Sequence, residues 1–237
     1  MRSPLLALVL PLALLVPAVP ATQAAPVPTE ATAAPAAAVR AEQARIPRLR
    51  TRTVVDGLDI PWDVQVLPGR EGLLLTERDR ARLSTYADGT LEEVDFPGDR
   101  VWVSGETGLM SLAVDPRFAD NRRFYTCSGW EKSGRGHDVR VNAWTLGEDR
   151  TSAFFEETLV AGFPTSTGRH GGCRLLITDG GALVVGTGDA AQGRNPRNRK
   201  SLGGKTLRLD RFTGRPGSRP PRGCRRRTSR AGRGPAR

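Results

Sequence analysis

The chain has 237 residues, with 36 lysines and arginines against 25 aspartates and glutamates, which gives a formal net charge of +11. The excess is local, because residues 211–237 hold ten arginines and no acidic residue, while residues 1–210 carry a net charge of only +1. A neutral body argues against a nucleic-acid-binding domain, and three cysteines and two histidines exclude a disulfide-rich scaffold and a histidine-based metal site.

The first 45 residues are predicted to lie outside the folded domain. Arg2, an apolar run over residues 5–16 and small residues before position 25 indicate a signal peptide at residues 1–24. A retained membrane anchor is the alternative, although Pro11 interrupts the run and a membrane span needs about 20 apolar residues. Residues 25–45 are rich in Ala, Pro and Thr and are predicted to form a linker. We therefore expect a secreted, extracytoplasmic protein with no membrane contact after cleavage.

Residues 46–214 show the pattern of an all-β domain. No window holds a sustained helical period of apolar residues, and turn signals such as Asp88-Gly89 and Asp115-Pro116 separate short apolar runs. We therefore predict an all-β fold for this domain. The predicted strands cover residues 63–67, 73–76, 82–86, 109–114, 124–126, 139–144, 174–177, 183–185 and 206–209.

The predicted strands repeat in groups of three. Copies of a strand that ends in an Asp or Pro turn start at Val64, Leu112 and Leu175, which are 48 and 63 residues apart. Spacings of about 40–50 residues per four-stranded unit are typical of β-propeller blades, and a β-sandwich with the same number of strands is the alternative. The body holds about three such units, whereas a closed ring needs at least about four blades. The sequence therefore predicts a partial propeller.

Two glycine-rich motifs imitate nucleotide-binding loops. Residues 186–191 fit a dinucleotide-binding pattern, but Gly193 and Pro196 occupy the first turns of the helix that this pattern requires. Residues 204–206 resemble the end of a phosphate-binding loop, but the alternation of the residues that follow is typical of a strand. We therefore predict no nucleotide-binding site.

One histidine lies in a setting that suits a reactive site. His170 follows a loop rich in Pro, Ser, Thr and Gly, precedes Gly171 and Gly172, and stands just before a predicted strand. Asp189 ends the next predicted strand, so adjacent antiparallel strands are expected to bring its carboxylate beside the imidazole. A carboxylate at one ring nitrogen orients the ring and suits it for general base catalysis. A structural histidine beside a turn-forming aspartate is the alternative.

Five blocks of sequence carry a family resemblance, at residues 57–64, 105–118, 169–175, 185–189 and 202–216. In this order they resemble the glucose/sorbosone dehydrogenase family, the soluble sugar dehydrogenases that use pyrroloquinoline quinone (PQQ), and the resemblance is collinear from Val54 to Pro216. It implies a six-bladed β-propeller with an oxidative site at the mouth of the central channel. This chain would then hold about three of the blades.

The resemblance also implies a chemistry and the residues that perform it. His170 matches the family's general base, which takes a sugar hydroxyl proton while hydride passes to PQQ, and Asp189 matches the carboxylate that assists it. Glu106 stands where well-studied members carry a glutamine that contacts the sugar, and Arg169 replaces an acidic residue. The implied partners are a sugar, PQQ, Ca²⁺ and an external electron acceptor. The family's calcium ligands and its cofactor-clamping cations lie in the second half of the propeller, which this chain does not reach.

Two cysteines are predicted to form a disulfide. Cys127 and Cys173 lie in neighbouring units of the body, and export makes a bridge between them permissible. Cys224 lies alone in the C-terminal segment and is the odd cysteine.

The C-terminal segment, residues 215–237, has a composition that cannot form a blade. It is dominated by Arg, Pro, Gly and Ala, has no large aliphatic or aromatic residue, and is expected to be disordered. Our hypothesis for its origin is a G/C-rich gene translated in the wrong frame. Beside a sugar dehydrogenase, two functional alternatives stay open, a non-catalytic fragment of the same family and polyanion binding by this segment. Secretion and the neutral body argue against a nucleic-acid partner.

Overall fold

The computed structural model describes residues 49–134 and 136–217, and within these ranges the chain folds almost entirely into antiparallel sheets. All of the sheets belong to one compact unit that begins at Thr53. The predicted signal peptide at residues 1–24, the linker at residues 25–45 and residues 218–237 of the predicted tail lie outside the described residues. These three assignments therefore stay predictions.

The first sheet is a four-stranded meander. A 3-10 helix at Pro68–Arg70 joins its first two strands, and Asp88-Gly89 forms the tight turn between the last two, with φ angles of 52° and 83°. Positive φ at both turn residues is the type I′ hairpin geometry that Asp-Gly favours. The strands, in spatial order, are β1 (Pro61–Leu67), β2 (Gly72–Glu77), β3 (Arg82–Ala87) and β4 (Thr90–Glu93).

The second sheet is also a four-stranded meander, and its strands are longer. A 3-10 helix at Gly98–Arg100 precedes it, and a single helical turn, α1 (Phe118–Asn121), connects its first two strands. Arg122 ends α1 in the left-handed conformation, so the chain turns back directly into the next strand. The strands, in spatial order, are β5 (Leu109–Val114), β6 (Arg123–Glu131), β7 (His137–Leu146) and β8 (Ala153–Phe163).

The third sheet contains three strands in the order β9 (Cys173–Ile177), β10 (Ala182–Thr187) and β11 (Thr206–Asp210). After β11 the chain turns and runs back along it, because the Asp210 N–H donates to Arg215 O and the Gly217 N–H donates to Arg208 O, both at 2.8 Å. Residues 215–217 therefore pair with β11, although the sequence assigns them to the tail. The boundary between body and tail stays a prediction, since the description ends at residue 217.

The all-β prediction is confirmed, and so is a partial propeller of about three blades. Each sheet follows sequence order, and β5 contacts both β1 and β9, so the first strands of the three sheets lie side by side. This is the arrangement of neighbouring propeller blades, and it excludes the two-layer sandwich. The apolar pattern does not predict β4 or β8, because β4 and most of β8 are exposed and lack the alternation of a half-buried strand.

The hydrophobic core consists of two layers, one between each pair of adjacent sheets. Strand β6 supplies both layers, because successive side chains of a strand point to opposite faces. Phe124 packs between the first and second sheets, and Tyr125 and Cys127 pack between the second and third. Trp144 of β7 belongs to the first of these layers and Leu183 of β10 to the second, and both are fully buried. The second sheet is therefore the central layer that holds the other two.

A buried carboxylate ties the first strands of the three sheets together. Asp63 of β1 accepts hydrogen bonds at Oδ2 from the Ser111 hydroxyl (2.8 Å) and the Leu112 N–H (2.9 Å) of β5. The Ser111 oxygen in turn accepts from the Leu175 N–H of β9 (3.0 Å). Arg174 of β9 forms an ion pair with the same Asp63 oxygen at 3.2 Å. One side chain that is 2% exposed thus connects all three sheets.

A disulfide adds a covalent connection between the second and third sheets. It joins Cys127 of β6 to Cys173 at the start of β9, with the two Cα atoms 6.2 Å apart and a sequence separation of 46 residues. Closing a loop of this length removes conformational entropy from the unfolded chain. Cys224 lies outside the described residues.

The Asp63→Ala substitution should lower the free energy of unfolding by about 3 kcal/mol, because it leaves buried donors of β5 without an acceptor. Urea unfolding followed by circular dichroism measures the change. Asp56→Ala, at an exposed position of the same chain, is the matched control and should stay within about 0.5 kcal/mol of the wild type. Equal effects of the two substitutions would contradict the linking role of Asp63.

The disulfide predicts one free thiol per denatured chain before reduction and three after it, since the chain has three cysteines. Thiol titration in denaturant measures both numbers. Reduction should also lower the free energy of unfolding by about 3 kcal/mol. Cys224→Ser is the control, and it should remove the remaining thiol without changing the unfolding midpoint. Three reactive thiols before reduction would show that the bond is absent.

Candidate active site at one end of the sheets

The candidate site lies at the end of the sheets where β5 and β9 begin and β10 ends. Because β9 and β10 are antiparallel, Cys173 pairs with Thr187, and the segments that flank these residues lie next to each other. The Gly188 N–H donates to Gly172 O at 2.8 Å and continues the ladder beyond the strands. This places the chain before β9 against the chain after β10.

The structure brings His170 and Asp189 together. The His170 Nδ1 and the Asp189 Oδ1 are 2.9 Å apart, and the imidazole is half exposed. A carboxylate can only accept a hydrogen bond, so Nδ1 carries the hydrogen and Nε2 is the nitrogen left for other partners. The hydrogen bond from His170 holds the pKa of Asp189 below its ordinary value, against the opposing effect of desolvation. The dyad thus has a fixed ring orientation and an accessible second nitrogen.

Glu106 joins this pair from the loop before β5. Its Oε2 accepts a hydrogen bond from the main-chain N–H of His170 at 2.8 Å, and its own N–H donates to Gly168 O at 3.1 Å. The Glu106 side chain is exposed at the same end of the sheets. All three residues named from the sequence therefore lie within one hydrogen-bonded cluster. Their roles in catalysis and sugar binding stay predictions.

The main chain around the dyad is packed so closely that two positions require glycine. A Cβ atom at Gly188 would overlap His170 O, and a Cβ atom at Gly168 would overlap Ser104 O. His170 itself adopts a φ of 49°, a left-handed conformation that is rare for residues other than glycine. The surrounding contacts hold the histidine in this conformation, as is typical of functional loops.

The loop between β10 and β11 contains residues that sequence analysis did not identify. Asn195 is buried and donates from Nδ2 to Asp189 O at 2.8 Å. Lys205 directs its ammonium group to main-chain carbonyl oxygens of the same loop. Lys205 lies within the motif at residues 204–206. The resemblance of this motif to a phosphate-binding loop indicated phosphate binding, whereas the lysine contacts carbonyl oxygens.

An open pocket of about 730 Å³ lies along β9, β10 and the start of β11, and it reaches Gly172, two residues after His170. Trp62, Arg174 and Lys205 are the large side chains in its wall, and Gly172 also lines it. A Cβ atom at Gly172 would meet nothing within 4 Å, so the backbone is open to a ligand at that point. The Arg78 guanidinium lies 4.9 Å from the centre of the Trp62 ring and fixes it by a cation–π contact.

Trp102 and the second histidine form a separate pair near the same end. Their rings stack with centroids 3.6 Å apart, and the His137 Nε2 lies 3.2 Å from Ser166 O. Because a carbonyl oxygen only accepts, this contact places the hydrogen of His137 on Nε2, the opposite nitrogen to that of His170.

The described residues contain no group of three or more His, Cys, Asp or Glu side chains that could hold a metal ion. None of the helices in residues 49–134 and 136–217 is long and apolar enough to cross a membrane.

Comparison with known proteins gives this arrangement a family context. The sequence profile described as Glucose / Sorbosone dehydrogenase matches residues 58–229. The aldose sugar dehydrogenase of Escherichia coli K12 is 29% identical over 156 residues, which make up 65% of this chain and 42% of that protein.

Solved structures agree with the sequence match. The PQQ-bound form of the aldose sugar dehydrogenase from Streptomyces coelicolor is 32% identical with a TM-score of 0.59, over 68% of this chain and 47% of that one. The apo form of the soluble aldose sugar dehydrogenase from Escherichia coli is 29% identical with a TM-score of 0.61, over 67% and 46%. The chain thus spans less than half the length of each of these relatives.

The lowered pKa of Asp189 makes the stability of the site depend on pH. Because the carboxyl ionises more readily in the folded chain than at its ordinary pKa of 3.8, its contribution is complete above about pH 4. It is lost as the pH falls through the lowered folded-state pKa. Urea unfolding of wild type and Asp189→Asn at several pH values should therefore show a stability difference that shrinks below pH 4. Asp179→Asn, at an exposed position, is the control. A stability difference between wild type and Asp189→Asn that grew on acidification would contradict a lowered pKa of Asp189.

Proposed function

The chain belongs to the glucose/sorbosone dehydrogenase family, and from this premise we propose that it contributes the general base and substrate-facing part of a PQQ-dependent aldose dehydrogenase. The observation that carries the proposal is the His170–Asp189 dyad, which leaves Nε2 of a half-exposed imidazole free to accept a proton. Because the chain spans less than half of its relatives, the proposal concerns the chemistry of these residues within that activity.

In the proposed reaction His170 removes the proton of the sugar C1 hydroxyl. The O–H bond breaks, the proton goes to Nε2, and the hydrogen on C1 leaves with its electron pair as hydride, so the sugar is oxidised by two electrons. PQQ, when bound, would supply the acceptor for that hydride. Asp189 then stabilises the imidazolium by its charge and keeps the ring oriented by its hydrogen bond.

Glu106 is the proposed contact for the sugar. Its Oε2 accepts a hydrogen bond from the His170 N–H, which holds the exposed carboxylate beside the dyad. A carboxylate accepts hydrogen bonds from sugar hydroxyls and cannot donate, whereas the glutamine of well-studied relatives can do both. The substitution therefore favours a sugar that presents a donor hydroxyl at this position.

We propose that the open pocket along β9 and β10 receives a planar, negatively charged quinone. The ring of Trp62 offers a stacking face, Arg174 offers a guanidinium that is 63% exposed, and Gly172 leaves room for a close approach. These residues would hold one side of PQQ. Calcium is proposed on the family resemblance alone, with ligands from outside the described residues.

The proposed setting is extracytoplasmic, with an external electron acceptor that reoxidises the cofactor. The disulfide between Cys127 and Cys173 supports an oxidising compartment. The near-neutral body of the chain supports an uncharged substrate.

A non-catalytic fragment of the same family is the second candidate. One feature favours it, namely the exposed apolar side chains on the first strands of the outer sheets. Val66 of β1 is 74% exposed, and Leu176 of β9 is 61% exposed. An enzyme core of this kind would normally cover such positions.

A dye-linked assay of the purified full chain with PQQ, Ca²⁺ and a panel of aldoses separates the two candidates. The enzyme predicts activity that falls by about 100-fold or more in His170→Ala, because that variant lacks the general base. His137→Ala removes the other histidine and is the matched control, with activity expected within about twofold of the wild type.

If the protein binds PQQ in a titration but oxidises none of the aldoses, the non-catalytic fragment is the correct candidate. That result would overturn the enzymatic proposal for this chain. Equal losses in His170→Ala and His137→Ala would reject His170 as the base.

A further inference from the structure

Lys205 makes an unusual set of contacts beside the dyad. Its Nζ donates to Asn195 O at 2.7 Å, to Gly203 O at 2.9 Å and to Pro196 O at 3.1 Å. An ammonium group has three hydrogens, so its whole donor capacity is directed to main-chain oxygens of one loop. Hydrogen bonds from a charged donor are about twice as strong as neutral ones. These three hydrogen bonds therefore connect separate parts of the loop between β10 and β11 through one side chain.

The same loop carries Asp189, and a second side chain connects it to Lys205. Asn195, whose carbonyl oxygen accepts from Lys205, donates from Nδ2 to the main-chain oxygen of Asp189 at 2.8 Å. Asn195 is buried, and both contacts are partly buried. A continuous path thus leads from the Lys205 ammonium through Asn195 to the main chain of Asp189, and from the Asp189 carboxylate to the His170 ring.

The turn after Asp189 is held in a conformation that needs such support. Ala190 and Ala191 follow one another with φ angles of 58° and 55°, in the left-handed region that side-chain-bearing residues disfavour. The Ala191 N–H donates to the Asp189 Oδ1 at 2.9 Å, the oxygen that also contacts His170. If the turn relaxed, this oxygen would move away from the imidazole.

We propose that Lys205 is a positioning residue that holds the Asp189 carboxylate on His170 Nδ1 and thereby fixes the ring tautomer with Nε2 free. The proposal deepens the proposed function, because a general base at Nε2 requires this tautomer. Lys205 acts only through Asn195 and Asp189 and has no contact with the His170 ring. A lysine suits the task because a compact ammonium can serve three converging oxygens, whereas the planar guanidinium of arginine cannot.

Lys205→Met tests the proposal, since it keeps the length of the side chain and removes the three donors. Lys200→Met is the matched control, because it removes the same charge from an exposed position of the same loop. The readout is the two-bond ¹H–¹⁵N spectrum of the imidazoles at about pH 8.5, where an ordinary histidine is neutral. The chain has only two histidines, so His137 serves as the internal reference.

In the wild type and in Lys200→Met, we expect His170 to show a protonated Nδ1 and His137 a protonated Nε2. In Lys205→Met, His170 should lose the Nδ1-protonated signature while the His137 signals stay in place. Amide exchange at Ala191 should accelerate at least tenfold in the same variant. An unchanged His170 spectrum in folded Lys205→Met would overturn the proposal and leave Lys205 a purely structural role.

Asn195→Ala provides a second test that keeps Lys205 in place, and it decides the question if Lys205→Met fails to fold. The same loss of the Nδ1-protonated signature is expected, because the connection to the Asp189 main chain is broken. A wild-type spectrum in this variant would overturn the proposed path. The spectra need neither PQQ nor a sugar, so a failure of the enzymatic proposal leaves this result independent.

Discussion

The buried carboxylate of Asp63 is the constraint on which the rest of the structure depends. Sheets that pack face to face can slide along their strands at little cost, because apolar contacts have no direction. Hydrogen bonds from Ser111 and Leu112 to one carboxylate, and from Leu175 to the Ser111 hydroxyl, are directional and fix the relative height of β1, β5 and β9. The loops that precede β5 and β9 carry Glu106 and His170. Their meeting at one end of the sheets is therefore a consequence of that registration.

The dyad adds a local constraint to this global one. The ladder of β9 and β10 brings the chain before Cys173 beside the chain after Thr187, and glycine at position 188 permits the contact with His170 O. Lys205 and Asn195 then shape the turn that presents Asp189. The Asp189 carboxylate orients the imidazole by its hydrogen bond to Nδ1, and hydrogen bonds to main-chain atoms hold the turn that carries this carboxylate.

Much of this architecture could be predicted from the sequence, for reasons that are specific to its elements. Alternating apolar residues predicted β1, which buries one face, and short apolar runs between turns predicted β2 and β6, of which β6 buries both faces. The antiparallel relation of two consecutive strands was enough to place Asp189 beside His170. The exposed strands β4 and β8 lack this alternation, and no local pattern marks them.

The contacts of Lys205 could not be predicted, since they depend on the path of a loop with no regular structure. Its three acceptors are carbonyl oxygens that every residue possesses, so no residue type in the sequence reveals them. The same holds for the stacking of Trp102 on His137, which joins the loop before β5 to the first residue of β7. Contacts to main-chain carbonyl oxygens between distant residues therefore cannot be recognised from the amino-acid sequence.

The disulfide has a consequence for the motions that the site can make. Cys173 lies three residues after His170, and its bond to Cys127 anchors the start of β9 to the middle of the second sheet. The first residues of a strand normally fray on their own, with a small free energy of opening. Here such fraying stops at the covalent bond, so the histidine loop can open only over the few residues between Gly168 and Cys173 or together with the second sheet. Reduction of the disulfide would therefore let an opening of the histidine loop spread further along β9.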